Sequence, residues 1–155
     1  MSPEAMQATA VAHPNIALVK YWGKADTERN IPAVGSLSIT LDGLSTTTRV
    51  VFDPGLGADR FELGGRRAPE MEARVTSCLD LLRTNAGIET RALVESDNDF
   101  PTAAGLASSA SGFAALVVAA DEALGSGLAT ADLADLARQA SGSAARSLFG
   151  GFVEI

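Results

Sequence analysis

Apolar positions follow a strand-like period in the first third of the chain and a helical one later. Met1 to Ala8 reads as a loose tail. Thr9 to Val19 is apolar and extended, interrupted at His13-Pro14, where proline marks an edge or an end of pairing. Asp26 to Pro32 is polar and reads as a loop. Ser36 to Leu41 alternates, and Thr46 to Phe52 is rich in β-branched residues. Asp42-Gly43 between them signals a hairpin. Arg60 to Leu63 and Arg66 to Ala68 flank Gly64-Gly65, a second hairpin signal.

Helical spacing begins at Pro69. Met71, Val75, Cys78, Leu79 and Leu82 recur on one face up to Thr84, with proline opening the helix and Asn85-Ala86-Gly87 closing it. Glu89 to Glu95 reads as a strand. Leu106 to Leu124 is apolar nearly all round, which predicts a buried helix. Thr130 is placed to cap a further helix with Leu133, Leu136, Ala137 and Ala140 on one face. Ser143 to Phe149 reads as a short helical piece, and Gly151 to Ile155 as the start of a strand. Strands first and helices later predict an α+β fold in two layers. No internal repeat or linker interrupts the pattern.

Composition narrows the function. The chain has 155 residues, 46% hydrophobic and 20% charged, enough for one domain with a real core. A net charge of −7 argues against nucleic acid, which calls for a basic face. It leaves room for a small anion held by a few placed cations. The single cysteine, Cys78, rules out an internal disulfide and fits a reducing cytoplasmic setting. No basic-then-apolar leader opens the chain, and Phe113 to Ala120 is too short to span a bilayer. No Cys/His metal cluster is visible, and His13, ahead of Pro14 with no serine–acid partner, reads as structural.

The richest stretch chemically is Pro101-Thr102-Ala103-Ala104-Gly105-Leu106-Ala107-Ser108-Ser109-Ala110-Ser111-Gly112, small residues running into a helix. Small side chains let backbone approach an oxygen-rich ligand, hydroxyls add donors, and the helix start adds N–H groups and partial positive charge. This suits a phosphate chain, though the same composition also opens helices that pack closely on a sheet. It is not a Walker loop, since no lysine follows.

Two further stretches complete a constellation: Ala12-His13-Pro14-Asn15-Ile16-Ala17-Leu18-Val19-Lys20-Tyr21-Trp22-Gly23-Lys24 and Ser141-Gly142-Ser143-Ala144-Ala145-Arg146-Ser147-Leu148-Phe149-Gly150-Gly151. In this order, the three motifs resemble the mevalonate diphosphate decarboxylases of the GHMP kinase superfamily. Glu72-Ala73-Arg74 and Ser96-Asp97-Asn98-Asp99-Phe100 sit where that family has similar segments. The resemblance implies a GHMP N-terminal domain like ribosomal protein S5 domain 2, with a left-handed βαβ crossover. It also implies that 1–155 is an N-terminal ATP-binding half, read as a fragment, a truncated gene product or an incompletely reported chain. The second domain and the family's catalytic aspartate would then lie outside it. Taken alone, such a half is expected to be inactive.

What the resemblance implies for individual residues is specific. The family reaction phosphorylates the 3-hydroxyl of mevalonate 5-diphosphate from ATP; phosphate and carbon dioxide then leave, giving isopentenyl diphosphate. Lys20 would neutralise phosphate oxygens or fix a carboxylate, with Tyr21 and Trp22 in the same site. Arg146 would clamp the substrate carboxylate, for which a guanidinium fork is suited. Asn15 would orient these groups, and Ser141 and Ser143 would bind the diphosphate. Pro101, Ala104, Gly105, Leu106, Ala107, Ser108 and Ser109 would cradle ATP, with Ser96 near the nucleotide. Magnesium would be held by phosphate oxygens and water, with Ser108 or Ser109 as the available protein ligands. Arg74 and Lys24 are weaker candidates for the substrate diphosphate. Taken without the resemblance, Lys20 is a solvated strand-end lysine, Arg146 a helix-end arginine, Asn15 a turn residue and Arg74 a wet helix cation.

One departure stands out. Ala33-Val34-Gly35 occupies the approach to the Ser36–Leu41 strand, where many relatives have Asn-Ser-Ser. Alternatives within the superfamily are a phosphomevalonate decarboxylase or a mevalonate 3-kinase; outside it, an inactive phosphate-binding module. A homodimer is the family expectation. No nucleic-acid or membrane partner is expected.

Overall fold

The computed structural model describes residues 6–19, 23–101 and 108–154. The strands are β1 (Met6–Ala12), β2 (Asn15–Val19), β3 (Lys24–Asp26), β4 (Ile31–Pro32), β5 (Leu37–Thr40), β6 (Thr46–Phe52), β7 (Arg60–Leu63), β8 (Arg66–Arg67), β9 (Ala92–Asn98) and β10 (Phe152–Glu154). The helices are α1 (Pro69–Ala86), α2 (Ser108–Leu124) and α3 (Thr130–Ala140), with a 3₁₀ turn at Ala144–Leu148. One sheet runs β1-β6-β9-β7-β8, a second β10-β5-β2, and β3 pairs with β4. The helices cover one face of the larger sheet, giving the expected α+β layers.

The two halves of the strand region form a bent antiparallel ladder. β1 pairs with β6 from Met6↔Phe52 to Ala12↔Thr46, and β2 continues the pairing against β5 from Asn15↔Thr40. Both chains change sheet at the same level. Leu41 N donates to Pro14 O at 2.9 Å, and His13 Nδ1 donates to Leu44 O at 2.7 Å, so His13 is structural. Here the sequence reading needs correcting. A turn does form at Asp42-Gly43, with Leu44 N donating to Leu41 O at 3.3 Å, but β5 and β6 never pair, because each takes its partner from the N-terminal strands. The same pairing pulls Met6, Gln7 and Ala8 out of the expected tail and into β1. Asp26 to Pro32 is likewise no simple loop, because its ends form β3 and β4.

The Gly64-Gly65 hairpin forms between β7 and β8, both glycines at positive φ. α1 then crosses to β9, which runs parallel to β7, giving a βαβ unit. β9 begins three residues later than expected because the ladder with β6 starts at Phe52↔Ala92. α1 ends at Gly87 in the left-handed region, donating its N–H to Arg83 O. Thr130 is the first residue of α3 rather than its cap; Ala129 holds that position without a side-chain bond.

The core gathers Val50, Phe52, Val75, Leu79, Leu82, Val94, Phe113 and Val117 between sheet and helices. α2 is crowded with small residues; Ala110, Ala114, Ala115, Ala119 and Ala120 are fully buried. They let the helix lie close on β1 and β6. At the far end of α1 the Arg83 guanidinium is buried against Asp59, with Nη2 to Oδ2 at 2.7 Å, while Ala92 N donates to Asp59 Oδ1 at 2.8 Å. Burial alone would raise the Asp59 pKa. The Arg83 hydrogen bonds, the Ala92 N–H and the Arg83 charge outweigh it, and the carboxyl titrates below its usual range.

Two outcomes follow for stability. Because its pKa is lowered by folding, Asp59 contributes fully above the unfolded carboxylate range near pH ~4 and loses that contribution as pH falls through its lower folded value. Asp59→Asn should destabilise by about 3 kcal/mol at neutral pH, the cost of losing the buried carboxylate of Arg83 and leaving it only the half-exposed Asp80 as counter-charge. Urea unfolding checks this, and a wild-type midpoint would contradict it. Cys78 is fully enclosed and its thiol is pushed up to about 12 by burial. A disulfide reagent at pH 8 should therefore label it only as fast as the chain unfolds.

Candidate active site

Along the β6–β9 pair, the side chains facing the helices change from apolar to polar. The rungs run Phe52↔Ala92, Val50↔Val94, Thr48↔Ser96 and Thr46↔Asn98. The hydroxyls bond across: Thr48 Oγ1 and Ser96 Oγ lie 2.8 Å apart, and Thr46 Oγ1 donates to Asn98 Oδ1 at 2.6 Å. Ser111 of α2 reaches Thr46 Oγ1 at 2.7 Å, tying the first turns of the helix to the polar end of the sheet. A cavity of about 220 Å³ opens there. Phe61, Leu63, Val75 and Phe113 form part of its apolar wall, and Ser96, Ser108 and Ser109 are at its lining. Of the residues expected on ATP, the structure gathers these three serines around one space. Pro101 is exposed, and Ala104, Gly105, Leu106 and Ala107 lie outside the described residues.

Arg74 also lines this cavity. Its guanidinium stands 4.9 Å from the Phe113 ring centroid, and Nη2 donates to Ala140 O at 3.1 Å. That carbonyl immediately precedes Ser141, so Arg74 sits between the cavity and the serine-rich segment.

The second group forms where β2, β5 and the 3₁₀ turn meet. Asn15 is 3% exposed and Arg146 7% exposed, yet both are satisfied. Asn15 Nδ2 donates to Ser147 Oγ at 2.7 Å and Ser143 O at 3.1 Å. Its Oδ1 accepts from Arg146 Nε at 3.3 Å, while Arg146 Nη1 donates to Ser36 Oγ at 2.5 Å. Ser141 Oγ and Ser143 Oγ lie 3.5 Å apart beside them. Among the described residues no buried side-chain nitrogen or oxygen lacks a partner. The turn is 3₁₀ rather than α-helical, so positions three apart, Ser143 and Arg146 among them, eclipse on one face.

Asn15, Ser141, Ser143 and Arg146 are thus brought together. Lys20, Tyr21 and Trp22 lie outside the described residues. Lys24 points elsewhere, donating to Asn30 Oδ1 at 2.6 Å. Sequence reading missed Ser36 and Ser147, the hydroxyls that hold Arg146 and Asn15. Ser147 follows Arg146 directly and Ser36 ends the Ala33-Val34-Gly35 departure, but nothing in their spacing marks them as arginine partners. It also missed Thr46, Thr48 and Ser111. The signal was present: hydroxyls at alternate positions of an otherwise apolar buried strand face.

Asn15 is the joint of this network. Asn15→Leu keeps the volume and removes the amide, leaving Arg146 Nε, Ser147 Oγ and Ser143 O short of partners. We expect a loss of about 2–4 kcal/mol in urea unfolding, as buried polar groups lose their bonds. A change under about 0.5 kcal/mol, the range of ordinary surface substitutions, would show the network to be incidental.

Residues 12–155 match the diphosphomevalonate decarboxylase-like N-terminal domain model. The diphosphomevalonate decarboxylase of Ganoderma lucidum is 47% identical over 162 residues, covering 95% of this chain and 40% of that protein. The mevalonate diphosphate decarboxylase from Enterococcus faecalis, in a structure concerned with mevalonate-diphosphate-mediated ATP binding, matches at 50% identity and TM-score 0.90 over 97% of this chain and 47% of that one. A solved complex of MDDEF with MVAPP, AMPPCP and magnesium matches at 50% identity and TM-score 0.90, over 97% of this chain and 46% of that one. The chain spans less than half the length of these relatives. Its fold is the GHMP-type fold of their N-terminal halves, and the chain belongs to the diphosphomevalonate decarboxylase-like N-terminal domain family.

Proposed function

We propose that this chain is the ATP-binding half of an enzyme that decarboxylates mevalonate 5-diphosphate to isopentenyl diphosphate, by way of 3-hydroxyl phosphorylation. The observation that carries this is the buried Arg146, held by Asn15 and Ser36 beside the Ser141–Ser143 pair. A guanidinium fixed this way is a preorganised cation for a carboxylate, and hydroxyls next to it suit an adjoining diphosphate. Family membership and the MVAPP, AMPPCP and magnesium of the MDDEF complex support the same reading.

The residues present fit ATP. The cavity combines an apolar wall, suited to a base, with serines at the start of α2, suited to phosphates. When bound, ATP supplies the phosphoryl group and its magnesium neutralises charge. Among the described residues no three His, Cys, Asp or Glu side chains gather, so magnesium would rest on phosphate oxygens, water and Ser108 or Ser109. Lys20 would neutralise charge on the transferring group, with Tyr21 and Trp22 beside it. Arg146 would hold the substrate carboxylate in line with carbon 3, so that its electrons replace the departing phosphate. Asn15 keeps the guanidinium fork oriented, while Ser96 and Arg74 line the space between nucleotide and substrate. The catalytic base would come from the part of the protein beyond these residues, and the assembly would be a cytoplasmic homodimer.

In the complete protein, ADP and carbon dioxide should appear in step from mevalonate 5-diphosphate and ATP. Arg146→Ala and Lys20→Ala should each lower turnover by about a hundredfold or more, the scale of a lost transition-state contact. ADP release without carbon dioxide would contradict the decarboxylase reading, and wild-type rates in either variant would remove that residue from the site.

A further inference from the structure

Two separate ties join the N-terminal strands to α3 and the segment carrying Ser141, Ser143 and Arg146. The first is Asn15, already described. The second lies on the other side, at the β3–β4 hairpin. Asn30, at the tip, has φ +53°, a left-handed conformation asparagine tolerates better than most residues. Its Nδ2 donates to Arg138 O at 3.2 Å and to Gln139 O at 3.1 Å, two of the last carbonyls of α3. A helix leaves those carbonyls without intrahelical donors. Lys24 Nζ donates to Asn30 Oδ1 at 2.6 Å, which fixes the amide with its NH₂ towards the helix.

The return contact comes from α3. The Arg138 guanidinium, 8% exposed, donates to Arg29 O and to Asp135. Asp26 Oδ1 accepts from Arg29 N at 3.0 Å, and Ala33 N closes the hairpin onto Gly23 O at 3.4 Å. Each element therefore contributes a side chain to the other's backbone. α3 then runs directly into Ser141, whose N–H donates to Ala137 O at 2.9 Å.

We infer that Asn30 is a positioning residue: with Lys24 and Arg138 it clasps the β3–β4 hairpin to the end of α3 and so fixes where α3 hands the chain on to Ser141, Ser143 and Arg146. Holding the end of α3 removes conformational freedom from the Ser141–Arg146 stretch that would otherwise be lost at the moment of reaction. Lys24 then serves as a strut for the Asn30 amide, not as a substrate ligand. The inference rests on the proposed function for its catalytic consequence, and on geometry alone for the clasp.

The test uses Asn30→Gly in the complete protein, because glycine keeps the left-handed backbone and deletes only the amide. Asn30→Asp is the companion, since it also tolerates that backbone but has no donors for the α3 carbonyls. Both should lower kcat by about tenfold to a hundredfold, as small misplacements of reacting groups do, with the KM for ATP within about twofold. Amide hydrogen exchange should rise at 24–32 and 138–147 and stay unchanged in β6 and β9. Wild-type kcat in Asn30→Gly, or a change confined to the KM for ATP, would overturn the positioning role. If the wild-type protein turns over no mevalonate diphosphate, the proposed function fails, and exchange alone decides the clasp: faster exchange upholds it and unchanged exchange overturns it.

Discussion

A cation is buried in this domain and held in place by an amide and a hydroxyl. Arg146 lies 7% exposed with its guanidinium bonded to an amide oxygen and a hydroxyl, Asn15 Oδ1 and Ser36 Oγ. These two bonds fix the direction of the guanidinium fork. A buried guanidinium is costly to desolvate, so the groups that hold it constrain the structure around it. Much else follows from holding it there. β2 delivers Asn15, β5 is preceded by Ser36, and the 3₁₀ turn presents Ser143, Arg146 and Ser147 within one short stretch. The bent ladder exists to bring those three elements to one place, and its bend is where His13, Pro14 and Leu41 join the two sheets.

The second constraint is the polarity gradient along β6 and β9. The apolar end anchors the helices, and the hydroxyl end opens the cavity at Ser96, Ser108 and Ser109. One pair of strands therefore both packs the core and lines the cavity, with the change from apolar to polar occurring between Val50 and Thr48. Arg74 and Ala140 link the two regions, so the cavity and the Arg146 network share a wall.

Much of this was legible in the residues, and for physical reasons. α1, α2 and α3 were readable because their apolar positions follow one period over many residues, and Gly64-Gly65 because its turn is local. The Asp42-Gly43 hairpin misled because a turn signal says that the chain reverses, not which strand receives it; the pairing of β6 is set by seven rungs with β1, far away in sequence. β9 was misplaced for the same reason. Motif resemblance singles out Asn15, Ser141, Ser143 and Arg146, which the structure brings together. It does not single out Ser36 and Ser147, since a hydroxyl acquires its meaning only from the arginine or amide folded against it. The Asn30 clasp was hidden inside a segment read as plain loop.

The most direct measurement is a structure of the complete protein bound to mevalonate 5-diphosphate and a non-hydrolysable ATP analogue. The account predicts the substrate carboxylate within hydrogen-bonding distance of Arg146, its diphosphate against Ser141 and Ser143, and the nucleotide at Ser108 and Ser109. A carboxylate bound elsewhere, out of reach of Arg146, would contradict it.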